Sequence, residues 1–208
     1  MASEQDALRE TYNRIADDWH RDHQDDTWWI GGTDKFISLL PPGASVLDVG
    51  CGGGTKAEYL IDRGLEVTGI DFAENLIAIA KAEAPAGRFI AMDAYDLDTL
   101  SGTFDGVFAQ AILLHIPKRD IPAMLVRLVA KVRAGGYLYI TVKEVKPGQP
   151  EEEERVENDY GYEYRRFFSY FTLPELESRI RQIGLETMHI EVTPSGNSRW
   201  IQIISKKA

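Results

Sequence analysis

The sequence predicts an α/β fold in which a mostly parallel β-sheet is covered by helices. Past residue 43, short apolar runs rich in β-branched residues alternate with segments of helical periodicity. This alternation is typical of parallel strands joined by helical crossovers. A glycine-rich turn over 50–54 separates the first strand from the first of these helices. The 208 residues have the length of one domain, and we expect 1–208 to fold as one.

The first half of the sheet is predicted from strand and helix runs with clear terminators. Each strand is a short apolar run, and the helices end at glycine or proline, which interrupt helical hydrogen bonding. The predicted elements are a strand over 45–49, a helix over 55–63 before Gly64, a strand over 65–70, a helix over 73–84 before Pro85 and a strand over 88–92.

The alternation of strands and helices continues to residue 145 and then stops. A strand over 104–109 and a strand over 137–142 flank a long helix that ends before Gly135-Gly136. The apolar stripe of that helix consists of Ile121, Leu125, Leu128, Val129 and Val132. Turn residues over 146–150 and the acidic run 151–154 then predict a surface excursion.

The remaining elements lie at the two ends of the chain. Thr172 and Glu175 have capping-box spacing, so a helix begins there and ends before Gly184. Strands over 186–192 and 199–205 have a connection short enough for an antiparallel hairpin. Before the sheet, 6–19 is predicted to be an amphipathic helix. Its apolar side consists of Leu8, Tyr12, Ile15 and Trp19.

Composition excludes several classes of protein. The 23 Lys+Arg and 33 Asp+Glu residues give a net charge of −10. This negative charge repels phosphates and argues against a broad nucleic-acid surface. No apolar run approaches the length of a membrane span. The N-terminus lacks the pattern of a signal peptide, so a cytoplasmic location is expected. One cysteine and four scattered histidines predict neither a disulfide nor a metal site.

The glycine turn is the first candidate site. It follows a strand that carries Asp48, and parallel sheets bind ligands at the carboxyl ends of their strands. Glycines let the backbone turn sharply and let a ligand approach closely. A dinucleotide fingerprint counted from Gly50 would need glycine where Thr55 stands, so a dehydrogenase is disfavoured. Asp71, which ends the second strand 21 positions after Gly50, adds a second carboxylate at this edge.

Several motifs in this order resemble the class I S-adenosylmethionine-dependent methyltransferases. The resemblance covers nearly the whole chain. It rests on Val46-Leu47-Asp48-Val49-Gly50-Cys51-Gly52-Gly53-Gly54, Gly69-Ile70-Asp71-Phe72, Ala91-Met92-Asp93-Ala94, Phe104 to Gln110 followed by Leu114-His115-Ile116-Pro117, and the N-terminal Tyr12-Asn13-Arg14-Ile15-Ala16. Ala134-Gly135-Gly136 departs from the family's more usual Pro-Gly-Gly, which affects a turn and not the ligand.

The resemblance implies a fold, a cofactor and a set of cofactor contacts. The implied fold is a Rossmann-like, doubly wound mixed sheet of seven strands, with the last strand antiparallel and helices on both faces. The implied cofactor is S-adenosyl-L-methionine, and its product is S-adenosyl-L-homocysteine. The implied cofactor-binding residues are Tyr12, Asp48, Gly50, Cys51, Gly52, Asp71, Phe72, Met92, Asp93, Ala94 and Gln110.

Structural alternatives accompany four of these assignments. Asp71 would accept hydrogen bonds from the ribose hydroxyls, or it could be a helix N-cap with Glu74. Asp48 would lie near the methionine ammonium group, or it could cap the turn. Asp93 would contact the adenine amino group, or it could be one of several surface acids. Cys51 is expected to fill the turn and not to act as a nucleophile.

Methyl transfer from a sulfonium mainly requires alignment of the reactants, so a general base is optional. His115 follows the fourth predicted strand and is the candidate base; the alternative is a histidine packed at the sheet edge. The acids and histidines over 17–26 resemble a metal cluster, but their spacing fits a solvated helix end better.

Substrate specificity is assigned to the aromatic excursion, where seven of the 17 Phe and Tyr residues fall between Tyr160 and Phe171. We expect 146–171 to form a lid-like insertion and 1–35 to form an N-terminal helical cap. These aromatics either line a pocket or cover the core. The candidate substrate-binding residues are Trp28, Tyr164, Arg166 and Phe168, with Arg165 and Arg166 available to an anion.

The sequence thus predicts a methyltransferase that acts on a small organic acceptor, as a monomer or homodimer, with membrane excluded and nucleic acid disfavoured as a partner. Two alternatives stay open. One is a protein that binds S-adenosylmethionine as a sensor or for other chemistry. The other is an RNA or protein methyltransferase, which the acidic excursion disfavours for RNA.

Overall fold

The computed structural model describes residues 4–208 and builds these elements around one large sheet. Within that range the helices are α1 (Glu4–His23), α2 (Ile30–Leu39), α3 (Thr55–Ile61), α4 (Glu74–Glu83), α5 (Ile121–Lys131) and α6 (Leu173–Gln182). The strands are β1 (Ser45–Val49), β2 (Glu66–Asp71), β3 (Arg88–Ala91), β4 (Phe104–Gln110), β5 (Val132–Lys143), β6 (Glu152–Glu157), β7 (Tyr164–Ser169), β8 (Leu185–Ser195) and β9 (Ser198–Lys207). Short 3₁₀ helices cover Ala94–Thr99 and Leu113–His115.

The main sheet has seven strands in the order β3-β2-β1-β4-β5-β9-β8. Strands β1 to β5 pair in parallel, whereas β9 runs antiparallel to both β5 and β8. The strand order reverses between β1 and β4, and the crevice at such a reversal is where open α/β sheets bind ligands. The architecture confirms the predicted mixed sheet of seven strands with the last strand antiparallel.

Two hydrophobic cores form because side chains alternate between the faces of each strand. Leu47 and Val49 of β1 pack on one face with apolar side chains of α5 and α6. Val46 packs on the other face with side chains of α2, α3 and α4, including Phe36. Helices therefore cover both faces, as predicted.

Three local details differ from the sequence-based prediction. Helix α5 ends at Lys131, so Val132 is not in the helix but starts β5 and pairs with Phe104. Helix α3 ends two residues earlier than predicted, at Ile61. Helix α2 was not predicted, because its Gly31-Gly32 pair obscures the helical pattern.

The predicted excursion contains a separate two-stranded sheet made by β6 and β7. The acidic strand β6 pairs antiparallel with the basic and aromatic strand β7, so that Arg155 faces Arg166 and Glu154 faces Phe167 in register. Opposite charges then meet diagonally across the hairpin, as in the ion pair between Arg165 and Glu154 at 2.9 Å. The hairpin is thus a folded element and not a loose loop.

Helix α1 and strand β7 come together over the carboxyl edge of the main sheet. The predicted apolar side of α1 is buried at Leu8, Tyr12 and Ile15. Tyr164 of β7 belongs to the same cluster. The first three residues of the predicted N-terminal cap lie outside the described residues. Between residues 4 and 208, no helix is both long and apolar enough to cross a membrane.

Candidate active site

The glycine turn after β1 is held in place by backbone hydrogen bonds. The amides of Gly50 and Cys51 both donate to the carbonyl of Ile70, at 2.8 and 3.0 Å. Gly50 and Gly52 have φ values of 76° and 54°, a left-handed conformation that favours glycine. A Cβ at Gly52 would lie 3.1 Å from the Trp19 ring, and one at Gly53 would overlap the His20 imidazole. The turn therefore requires glycine both for its conformation and for the approach of α1.

Three carboxylates lie at the carboxyl ends of neighbouring strands. Asp48 is on β1 and Asp71 ends β2, and both are buried. Asp93 follows β3 and accepts a hydrogen bond from the Tyr95 amide at 2.9 Å. Asp71 accepts from the Gly52 amide at 3.0 Å and from the Ala73 amide at 2.9 Å. The N-cap of α4 is Ala73, so Asp71 is not the helix cap, and a carboxylate keeps acceptor positions beyond these two.

Burial makes two of these acids weak. Burial raises the pKa of Asp48 to about 7; the Lys56 ammonium opposes this shift and Asp71 adds to it. Burial also raises the pKa of Asp71 to about 6, against the amide hydrogen bonds that favour its ionised form. A strongly shifted pKa in a cleft is typical of a functional site.

Two buried acceptors in this region lack a hydrogen-bond partner within the described part of the chain. They are Oδ2 of Asp48 and Oε1 of Gln110. An unpartnered buried polar atom costs about 1 to 3 kcal/mol. Ala111, directly after Gln110, has a φ of 55°, which strains a residue other than glycine. The end of β4 thus combines an unsatisfied acceptor with a strained backbone, as ligand-binding sites do.

Tyr12 and His115 form a hydrogen-bonded pair beside these acids. Nδ1 of His115 lies 2.8 Å from the Phe167 carbonyl, so that nitrogen carries the proton and donates. Nε2 is then the acceptor for the Tyr12 hydroxyl at 2.7 Å. Burial lowers the pKa of His115 to about 3, with the Arg166 guanidinium adding to the effect. The imidazole is therefore neutral at physiological pH.

Arg166 joins this pair to the β6–β7 hairpin. Its guanidinium donates to the Tyr12 hydroxyl at 3.2 Å and makes a two-pronged ion pair with Glu157 at 2.6 and 2.8 Å. Both side chains of the ion pair are largely buried. A bidentate pair of this kind fixes orientation as well as charge. Arg166 thus links α1, the segment after β4 and the hairpin.

The part of the cleft beside strands β5 and β9 is aromatic and positively charged. Trp28 and Trp200 stack with centroids 4.1 Å apart. Lys143, which pairs with Trp200 in the β5–β9 register, places its Nζ 5.4 Å from the Trp200 ring and 4.8 Å from the Phe168 ring. Burial, together with the nearby Arg166 guanidinium, lowers the pKa of Lys143 to about 8.

One cleft contains these groups and holds about 1350 Å³ of empty space, part of it open to solvent. All of the predicted site residues except Tyr164 line it: Tyr12, Trp28, Asp48, Gly50, Cys51, Gly52, Asp71, Phe72, Met92, Asp93, Ala94, Gln110, His115, Arg166 and Phe168. Tyr164 does not line the cleft. It is buried in the hydrophobic cluster that includes Tyr12, and its hydroxyl donates to Asp159 at 3.0 Å.

Cys51 fits its plainer interpretation as a filler of the turn. Burial raises the pKa of the Cys51 thiol well above its ordinary value, so the thiol is unreactive. In the described residues, no group of three or more His, Cys, Asp and Glu side chains is arranged to hold a metal ion.

Some cleft residues were not anticipated. Lys143 stands one residue after the predicted fifth strand, at the edge where ligand groups are expected, and this position could have identified it. Trp200 reaches the cleft only through its pairing with Lys143, which the sequence alone does not give. Lys56 and Trp19 also line the cleft; Trp19 lies on the predicted apolar side of α1.

Comparison with known proteins finds similarity to methyltransferases. Residues 46–136 match a family model described as a methyltransferase domain. A ubiquinone biosynthesis O-methyltransferase of Idiomarina loihiensis is 36% identical over 105 residues, which are 48% of this chain and 42% of that protein. The Coxiella burnetii protein of the same name is 31% identical over 147 residues, 62% of this chain and 58% of that one. The chain thus spans about half the length of these curated relatives.

Solved structures share the fold over the whole chain. A 1,6-didemethyltoxoflavin-N1-methyltransferase of Burkholderia thailandensis, with 1,6-didemethyltoxoflavin and S-adenosylhomocysteine bound, has a TM-score of 0.77 and 22% identity. The alignment covers 100% of this chain and 92% of that one. A magnesium protoporphyrin IX methyltransferase of Synechocystis, with S-adenosylmethionine bound, has a TM-score of 0.73 and 18% identity, over 100% and 99% of the chains. At this level of identity the similarity establishes the fold.

Proposed function

We propose that the chain is a class I S-adenosylmethionine-dependent methyltransferase that transfers a methyl group from S-adenosylmethionine to a small organic acceptor, in agreement with the methyltransferase-domain model that matches residues 46–136. The observation that carries the proposal is the row of carboxylates Asp48, Asp71 and Asp93 along the carboxyl edge, beside the glycine turn. All three line one cleft. The curated relatives support methyl transfer to a small molecule, since their names describe O-methylation in ubiquinone biosynthesis.

The residues of the cleft fit this cofactor in chemical type. Oδ2 of Asp48 and Oε1 of Gln110 are buried acceptors without partners among the described residues, and the ammonium of the cofactor supplies donors. Asp71 has acceptor positions left for the ribose hydroxyls. Asp93 and Met92 lie at the end of β3, where we place the adenine. The ammonium, the ribose and the adenine of the cofactor therefore each have a partner of matching polarity.

When bound, the cofactor supplies an electrophilic methyl group on a sulfonium centre. In-line displacement needs the acceptor held in line with that group and needs water excluded. We assign water exclusion to α1, as an N-terminal cap, and to the insertion over 146–171, as a lid. The contact of Arg166 with Tyr12 joins these two parts.

We propose that His115 acts on the reaction by positioning Tyr12. Its Nε2 accepts the Tyr12 hydroxyl, and a pKa of about 3 leaves it little tendency to take a proton at neutral pH. The Tyr12 hydroxyl oxygen, which also accepts from Arg166, is thereby fixed at the cleft wall. This role differs from the base that the sequence suggests.

Turnover tests the proposal. The protein is incubated with methyl-labelled S-adenosylmethionine and a fractionated metabolite extract, and we expect S-adenosylhomocysteine together with a labelled small product. The Asp71→Ala variant, tested in parallel, should give less of both. Tight cofactor binding without S-adenosylhomocysteine in any fraction would favour the sensor alternative. Label in a macromolecular fraction alone would favour an RNA or protein acceptor.

A cytoplasmic location and a monomeric or homodimeric state stay predictions from the sequence.

A further inference from the structure

The strands divide the cleft into two halves. The carboxylates proposed for the cofactor lie at the ends of β1, β2 and β3, on one side of the strand-order reversal. On the other side, the edge continues through Ala111 after β4, Lys143 at the end of β5, and Trp200 on β9. All three of these residues line the cleft. If the first half holds the cofactor, the second half is the place for the acceptor.

The walls of this second half are flat and aromatic. The indoles of Trp28 and Trp200 lie nearly parallel, at an interplanar angle of 10°. Phe168 is buried in the same cluster with Leu114. Flat apolar walls favour a planar ring, since stacked and edge-on ring contacts add to the free energy of burial.

Positive charge concentrates at the same place in a chain of net charge −10. Three cations surround the Phe168 ring: Lys143 at 4.8 Å, Arg166 at 5.1 Å and Arg155 at 5.9 Å. Glu157 neutralises Arg166 through the two-pronged ion pair. No carboxylate in the described part of the chain lies within ion-pair distance of Lys143. Glu157 attracts its ammonium from farther away, whereas Arg166, Arg155 and Lys146 repel it.

An ammonium that is partly buried among cations, with no carboxylate in ion-pair contact, is costly unless a ligand supplies a negative charge. Its pKa of about 8 leaves it mainly charged at neutral pH. The cation contacts with Phe168 and Trp200 offset only part of this cost.

We propose that Lys143 binds the anionic oxygen of a planar aromatic acceptor that packs against the stacked pair of Trp28 and Trp200 and against Phe168. The acceptor class is an aromatic ring that bears a carboxylate or an ionised hydroxyl. This inference rests on the proposed function and specifies its substrate. An acceptor that enters as an anion also needs no general base, in agreement with the low basicity of His115.

Binding of simple probes tests the proposal without turnover. Benzoate and 2-naphthoate, and the neutral amides of both, are titrated into the protein saturated with S-adenosylhomocysteine, with tryptophan fluorescence and calorimetry as readouts. We expect at least one acid to bind about tenfold more tightly than its amide, the scale of one charge-assisted hydrogen bond. Cyclohexanecarboxylate, which carries the charge without a planar ring, should bind more weakly than benzoate.

Variants of Lys143 assign the preference to that residue. Lys143→Met should abolish the preference for acid over amide, and Lys143→Arg should keep most of it. Lys146→Met is the matched control, because Lys146 is exposed and does not line the cleft; it should keep the preference.

Two results would overturn the proposal: no preference for either acid in the wild type, or a preference that survives in Lys143→Met. The first titration, with S-adenosylhomocysteine alone, reports on the proposed function separately. Its failure would contradict the cofactor site, whereas its success followed by failure of the acids would contradict only the role of Lys143.

Discussion

Replacing Asp48 by asparagine should make the free protein more stable and its cofactor binding weaker. Burial raises the pKa of Asp48 from 3.8 to about 7, and Oδ2 has no partner in the described residues. The folded protein therefore holds this proton more tightly than the unfolded chain does. The contribution of Asp48 to stability is greatest below about pH 4 and is lost as the pH rises through about 7.

The size of the effect follows from the same shift. One pKa unit corresponds to about 1.4 kcal/mol, so the ionised Asp48 costs the folded state up to about 4 kcal/mol at pH 8. Asp48→Asn removes that cost. It also removes the negative charge proposed to bind the cofactor ammonium, which should weaken affinity by about tenfold or more.

The assay combines urea denaturation at several pH values between about 5 and 8.5 with calorimetric titration of S-adenosylhomocysteine. Asp105→Asn is the matched control. Asp105 is also buried, but it accepts from the Ser45 amide at 2.7 Å and the Ser45 hydroxyl at 2.8 Å and pairs with Arg133. That variant should lose about 1 to 3 kcal/mol of stability and bind S-adenosylhomocysteine normally. If Asp48→Asn is less stable than the wild type at pH 8, the reasoning is refuted.

Three further substitutions test other parts of the cleft. Asp71→Ala should weaken S-adenosylhomocysteine binding by about 1.5 to 3 kcal/mol, measured by calorimetry; an unchanged dissociation constant would exclude the ribose contact. Gly53→Ala would place a methyl group on the His20 imidazole and should cost about 1 to 3 kcal/mol in urea denaturation, with recovery when His20→Ala is added; without that recovery, contact with α1 is not the cause. Tyr12→Phe leaves Nε2 of His115 without its donor and should lower stability by about 1 to 2 kcal/mol, whereas an unchanged stability would mean that the pair adds nothing to the fold.

The sheet and the cofactor half of the cleft could be predicted because their signals are local. Asp48 and Asp71 stand at the ends of recognisable strands, and the glycine turn identifies the switch point between them. Parallel pairing then brings these residues together, since the carboxyl ends of parallel strands share one edge.

The acceptor half was harder to predict because it depends on register between distant strands. Trp200 meets Lys143 only through the pairing of β9 with β5. Helix α2 escaped prediction for a similar reason: Phe36 is buried against Phe108 and Tyr139, so tertiary packing outweighs the weak helix propensity of its glycines. The acidic run 151–154 predicts a surface excursion, but its pairing with strand β7 and the ion pair of Glu154 with Arg165 depend on cross-strand register that composition does not give.

A crystal structure with S-adenosylhomocysteine bound tests the central claim most directly. The account predicts one molecule in the cleft, with its ribose hydroxyls on Asp71, its adenine beside Asp93, and its amino group on Oδ2 of Asp48. The half of the cleft beside Lys143 should be left open for the acceptor. A molecule bound elsewhere, or bound with its adenine beside Lys143, would contradict the account.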